Sequence, residues 1–236
     1  MAERLARIER VLQSGSTFPS VATAVSGRRY VLKLGVGSGT RSLATEYIGL
    51  KLAKHVGLNV PDAELIEVPG QFPWQVGTDE FYETVQRSAG WNLGVAFIPD
   101  AHDLQSSDLN ALPPEFLRRL ASVDALLQNV DRRAANPNVM RDDAGGLWAI
   151  DFGACLLIER LARGALDVRL ELPSNHVLAE RRDLGWSVRE VAQAVDLPML
   201  EATVAAVPAA WLDDLDIAPN VLVGRLAAYI EHARSA

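Results

Sequence analysis

Short apolar runs separated by polar turns fill the first third of the chain, whereas helical signals dominate after residue 155. Residues 8–12, Ile-Glu-Arg-Val-Leu, read as a first strand. Leu5, Ile8 and Leu12 also fit helical spacing, but the small hydroxyl-rich turn Ser14-Gly15-Ser16-Thr17 that follows favours the strand. Residues 21–25 and 30–34 flank a polar turn at 26–28, so the three runs form a meander. A period of two places Tyr30, Leu32 and Leu34 on one face and Val31 with Lys33 on the other. A helix is expected over residues 42–56, with Glu46 on the same side as Leu43, Leu50 and Ala53, while Lys51 and Lys54 point elsewhere. Strands follow at 63–68 and at 93–98, the latter stopped by Pro99, with an irregular loop and a short segment near 81–87 between them. Pro113-Pro114 opens a helix whose inward stripe is Phe116, Leu117, Leu120, Val123 and Leu127. A hairpin of residues 138–141 and 147–150 comes next. Helices then begin at the Ser187 to Glu190 capping box, at Pro198 and at Pro219.

The chemistry concentrates around the hairpin. Asp131 and Asn136 stand at D-x-x-x-x-N spacing before its first strand, and Asp151-Phe152-Gly153 follows its second. Antiparallel pairing brings the two ends of a hairpin together, so Asn136 and Asp151 are expected as neighbours with Asp131 one loop away. One carboxylate beside an attacking hydroxyl and two oxygen donors for magnesium are what phosphoryl transfer from ATP requires. Each piece alone is an ordinary polar loop or turn; together they point to a nucleotide-dependent phosphotransferase.

The upstream half offers matching parts. An isolated Glu46 on an apolar helix face needs a cation, because an unpaired buried charge is costly, and Lys33 is the candidate. In kinases such a pair sets the lysine on the α- and β-phosphates. Ser14 to Thr17 is the candidate phosphate-covering tip, and the backbone of Ala96, Phe97 and Ile98 the candidate adenine contact. Gly35-Val36-Gly37-Ser38-Gly39 lacks the third glycine of a dinucleotide fingerprint and the Lys-Ser/Thr of a P-loop, and reads as a connector. Asp124 reads as structural or solvated, and Asp213, Asp214 and Asp216 as a solvated acidic turn.

Composition narrows the classes. A net charge of -7 argues against nucleic-acid binding as the main task. Four histidines and one cysteine in no ligand spacing argue against structural zinc. Cys155 alone forms no internal disulfide, and neither a signal-peptide core nor a membrane-length apolar run appears, so a cytoplasmic location is expected. At 236 residues the chain suffices for one domain of two lobes or for two small domains.

The stretches YVLKLGVGSGTRSLATEYIGLKLAKHVGLNVPDAEL and NVDRRAANPNVMRDDAGGLWAIDFGACL make residues 8 to 215 resemble the HipA-like kinase family, especially its short stand-alone members. The resemblance implies a two-lobed α+β fold of protein-kinase type. A β-rich lobe would span residues 1–98 and a helical lobe 99–236, with Mg2+ and ATP between them. It assigns the catalytic base to Asp131, the magnesium ligands to Asn136 and Asp151, the phosphate lysine to Lys33 and its paired acid to Glu46. Two departures stand out. Full-length HipA toxins carry a further N-terminal subdomain and a DNA-binding antitoxin partner, for which this chain has no matching room. Asn129-Val130 stands where eukaryotic-type kinases have His-Arg before the base. The expected acceptor is a hydroxyl of protein Ser/Thr or, alternatively, of a small molecule as in antibiotic phosphotransferases. A pseudokinase scaffold is the rival from another class. For Arg132, a γ-phosphate contact and a solvated side chain remain equal alternatives.

Overall fold

A computed structural model describes residues 2–12, 18–36, 39–165 and 169–236. Strands β1 (Glu3–Val11), β2 (Ser20–Ala24) and β3 (Arg29–Lys33) form the expected antiparallel meander. Helix α1 (Gly39–His55) follows, then β4 (Ala63–Val68), α2 (Asp79–Arg87) and β5 (Gly90–Ala96). The strand order β1-β2-β3-β5-β4 closes into a barrel, because β1 also pairs in parallel with β4 at Glu3↔Ile66 and Arg4↔Glu67. Closure removes the exposed sheet edges that an open meander would leave.

The two faces of β3 serve different cores, as the period of two requires. Tyr30 and Leu32 join Leu5, Ile8, Ala22, Ile66 and Val68 inside the barrel. That interior is crowded: a Cβ at Gly94 would lie 2.5 Å from Ile66. Val31, Leu93 and Val95 turn outward against the larger core shared with α1. Lys33 alternates with Leu32 and so belongs to this outer face, which is what brings it toward the helix.

The rest of the chain is mainly helical. Strands β6 (Ala101–Asp103), β7 (Val139–Asp142) and β8 (Leu147–Ala149) make a small sheet of order β6-β7-β8, with α3 (Pro114–Leu127) preceding β7. Helices α4 (Leu157–Ala162), α5 (Val188–Ala194), α6 (Leu197–Ala205), α7 (Ala209–Asp213) and α8 (Pro219–Ser235) complete it. Leu117, Leu120, Val123 and Leu127 of α3 are buried in the large core, as the stripe predicted. Several boundaries differ from the sequence reading, and β1 most of all, which spans Glu3–Val11 rather than 8–12. Helix α1 begins at Gly39 rather than 42, β5 occupies Gly90–Ala96 rather than 93–98, and the segment near 81–87 is helix α2. The capping box at α5 is half made: Ser187 Oγ accepts the Glu190 N–H, but the Glu190 carboxylate turns to Arg118 of α3. Tertiary pairing there displaces the local motif. Among the described residues no helix is long and apolar enough to cross a membrane.

Candidate active site

Lys33 closes β3 and meets α1 across the outer face of the barrel. Its ammonium donates to both Glu46 oxygens at 2.6 Å and to Asp151 Oδ1 at 3.0 Å. The two carboxylates come from positions 13 and 118 residues away in sequence. Burial works against the lysine's charge, but Glu46 and then Asp151 outweigh it, and the ammonium is held above its ordinary pKa. Glu46 is fully enclosed, and burial pushes its carboxyl up to about 7 against the pull of Lys33. Asp151 retains 42% side-chain exposure. Burial opposes its charge too, yet Lys33, with Arg132 farther off, keeps its carboxyl below the ordinary value.

Local backbone explains how Asp151 reaches this position. It follows β8 in the left-handed region at φ 60°, which swings the side chain out of the strand direction. Phe152 then turns fully inward, and Gly153 passes so close to α1 that a Cβ there would lie 2.8 Å from Ser42 Oγ and 3.2 Å from Glu46 Oε2. Gly49 on the facing helix is similarly required, since its Cβ would stand 2.9 Å from Phe152 Cβ. On the other side, Gly35 donates its N–H to Asn92 Oδ1 at 2.8 Å, which fixes the chain two residues beyond Lys33.

The catalytic-loop candidate hangs from the end of α3. Gln128 ends that helix in the left-handed conformation, and Asn129 Oδ1 accepts the Asp131 N–H at 3.1 Å. The Asp131 carboxylate is then held from two sides, by Arg133 Nη2 at 2.9 Å and by Asn136 Nδ2 at 3.1 Å. Because the Asn136 amide nitrogen is engaged there, its Oδ1 is the atom left for a cation. Asn136 Oδ1 and the ionised Asp151 are hard oxygen donors of the type magnesium takes. Among the described residues no cluster of three His, Cys, Asp or Glu forms a metal cage by itself.

Arg132 requires correction: it is neither solvated nor aimed at phosphate. Its side chain is 0% exposed and pairs with the equally enclosed Asp124. Its remaining donors reach the carbonyls of Pro137 at 2.9 Å, Asn138 at 2.7 Å and Ile150 at 3.4 Å, which ties the loop to both ends of the hairpin. Asp124 also accepts from Asn129 Nδ2 at 3.1 Å and contacts His176 Nε2 at 3.0 Å. His176 Nδ1 accepts the Leu178 N–H, so its proton sits on Nε2 and points at Asp124. Burial opposes the Asp124 charge, but Arg132 and then His176 more than offset it, and this carboxyl lies below its ordinary value. Asp124 is therefore structural, as one of its two sequence readings held.

The accessible cation beside Asp131 is Arg133, 53% exposed, which the sequence reading did not nominate. The Arg-Arg doublet carried a usable signal, since adjacent residues in an extended loop face opposite ways. His176 and Asn92 gave none, because their partners are remote in sequence. Ser14 to Thr17 lies outside the described residues, as do Gly37 and Ser38 of the connector. In the proposed adenine contact, the Ala96 N–H is engaged by Asp62 O at 2.7 Å and the Phe97 N–H by Arg29 O at 3.0 Å. Ile98 is the member of the three whose N–H has no such bond among the described residues. A cleft of about 270 Å³ borders residues 96–99, but its other walls are Lys54, residues 58–62 and Trp148, with none of the Lys33, Glu46, Asp131 or Asp151 constellation.

The proinflammatory kinase CtkA of Helicobacter pylori superposes with a TM-score of 0.57, over 100% of this chain and 97% of its own, at 12% identity. At that identity the match speaks for a shared fold. The MAP kinase LmaMPK10 of Leishmania major aligns over 97% of this chain and 81% of its own at 12% identity, but a TM-score of 0.31 adds nothing to the assignment. No curated protein sequence matches. The model of the HipA-like kinases matches residues 5–217, nearly the whole chain. With that match and the kinase fold, the chain belongs to the HipA-like kinase family and is a phosphotransferase.

Proposed function

We propose that this kinase transfers the γ-phosphoryl group of ATP, bound with Mg2+, to a hydroxyl of a protein Ser or Thr. The observation that carries the nucleotide reading is the convergence of Glu46 and Asp151 on the one ammonium of Lys33. The β-rich half, residues 1–98, and the helical half, 99–236, act as two lobes with the nucleotide between them. Lys33, held by Glu46, takes the α- and β-phosphates. Ser14 to Thr17 covers them, and the backbone near Ala96, Phe97 and Ile98 meets the adenine. The Ser/Thr assignment rests on family resemblance, and cytoplasmic placement on the lone Cys155, which forms no internal disulfide.

Asp131 faces the acceptor. Its carboxylate takes the hydroxyl proton as the acceptor oxygen bonds to phosphorus and the bond to the β-phosphate oxygen breaks, releasing ADP. Asn129, Asn136 and Arg133 fix the orientation of that carboxylate before substrate arrives. Arg133 adds a positive charge where the transferred group gathers negative charge. Asn136 Oδ1 and Asp151 would hold magnesium, which neutralises the β- and γ-phosphates when bound.

Calorimetric titration with ATP, in magnesium and again in EDTA, tests the assignment alongside Asp151→Asn. Binding that needs magnesium and weakens at least about tenfold in the variant is expected from losing one charge-assisted contact. Equal affinity in all three titrations would remove the metal role of Asp151.

A further inference from the structure

Glu46 can grip Lys33 only while α1 stays pressed against the barrel, and its first turn is the least buried part of that helix. That turn contains no acidic residue of its own to complement the positive end of the helix dipole. Three side chains reach out from it instead. Thr40 donates its hydroxyl to the Asp214 carboxylate, Arg41 Nε donates to the Asp214 carbonyl at 2.5 Å, and Ser42 Oγ donates to the Gly153 carbonyl at 3.2 Å. Asp214 lies 174 residues from Thr40 and is the C-terminal cap of α7. Helix α7 is itself anchored: Trp211 is 1% exposed, and its Nε1 donates to the Trp91 carbonyl of β5 at 3.3 Å. The carboxylate at the start of α1 is thus supplied from a remote helix that is fixed to the barrel.

We infer that Asp214 is the positioning residue for Glu46. It holds the first turn of α1 from α7, through the Thr40 hydroxyl, and so sets the helix where both Glu46 oxygens meet Lys33; this deepens, and rests on, the reading of Lys33 and Glu46 as the phosphate-binding pair. The sequence had suggested a solvated acidic turn at residues 213–216. Asp214 instead forms one of the contacts, beside that of Ser42 with Gly153, by which the helical part of the chain holds the helix of the lysine clamp.

The test uses the full chain with Asp214→Ala. Hydrogen exchange is followed by mass spectrometry across the start of α1, and acetylation by acetic anhydride is quantified at each lysine. Exchange in residues 40–46 is expected to quicken about tenfold, the factor that follows from losing one hydrogen bond to a carboxylate. Lys33 acetylation rises by a similar factor as Glu46 drifts away, while Lys51 and Lys54 on the same helix keep their rates. Thr40→Val reproduces the effect from the other side of the bond and carries the test if Asp214→Ala does not fold. Asp214→Asn, which retains an oxygen to accept from Thr40, restores most of the protection. Unchanged exchange, unchanged Lys33 labelling, or a rise in all three lysines together would overturn the inference. In the wild type, magnesium and ATP should shield Lys33 from acetylation. Loss of that shielding alone would sink the phosphate role of Lys33 and leave the positioning role of Asp214 standing.

Discussion

Two clusters of charge lie within the same functional region, and they differ in how completely they are sealed. Around Asp124 every contributing side chain is enclosed: Arg132, His176 and Asn129 surround the carboxylate, and the arginine's remaining donors go to backbone carbonyls. Around Lys33 only Glu46 is sealed, whereas Lys33 and Asp151 retain 18% and 42% side-chain exposure. A saturated cluster has no capacity for a ligand and fixes the backbone that carries Asp131. An open one can exchange a protein partner for phosphate or metal. Residue type alone does not separate these roles, since each cluster has a carboxylate paired to a cation.

The sharpest break of that contrast is at Asp131 itself. Asp131→Ala is expected to lower kcat by about 10²- to 10⁴-fold, the range for losing a positioned general base. It should change unfolding free energy by ~1 kcal/mol or less, because its partners Arg133 and Asn136 are partly exposed. Steady-state phosphate transfer and a denaturant melt check the two halves; unchanged transfer would remove the base assignment.

The adjacent arginines sharpen the comparison further. Arg132→Ala removes the arginine from the enclosed Asp124, leaving only Asn129 and His176 against that charge, and should cost about 3–5 kcal/mol of stability. Arg133→Ala should leave the melt within ~0.5 kcal/mol, as exposed sites usually do, and lower kcat instead. Matching melts for the two variants would refute the division between scaffold and site.

The smallest effect is an acid limb. Asp124 and Asp151 both have folded pKa values below the ordinary aspartate value. Their contribution to stability is therefore full above that value and is lost as pH falls through the lowered folded values. Asp151→Asn should flatten the decline in melting temperature below pH 4. An identical slope in wild type and variant would mean that Lys33 does not hold the Asp151 charge.

Much of the site was legible because its parts are local. The D-x-x-x-x-N loop, the hairpin and Asp151 lie within about twenty residues, and strand pairing dictates that the hairpin ends meet. The face of β3 that bears Lys33 followed from the period of two, and the need to neutralise Glu46 followed from its apolar helical surroundings. Helix starts were less exact at α1, and the capping box at α5 was only half realised because Arg118 attracts Glu190.

By itself the sequence determined the order of elements, the catalytic-loop candidates and the pairing demand between Lys33 and Glu46. Each is set by backbone periodicity or by chemistry over short separations. Tertiary structure alone decided that Arg132 is sealed and Arg133 accessible, that His176 turns its proton toward Asp124, that β1 closes the barrel on β4, and that Asp214 binds Thr40 in the first turn of α1. Those outcomes depend on which distant surfaces exclude water together, and no local spacing encodes that.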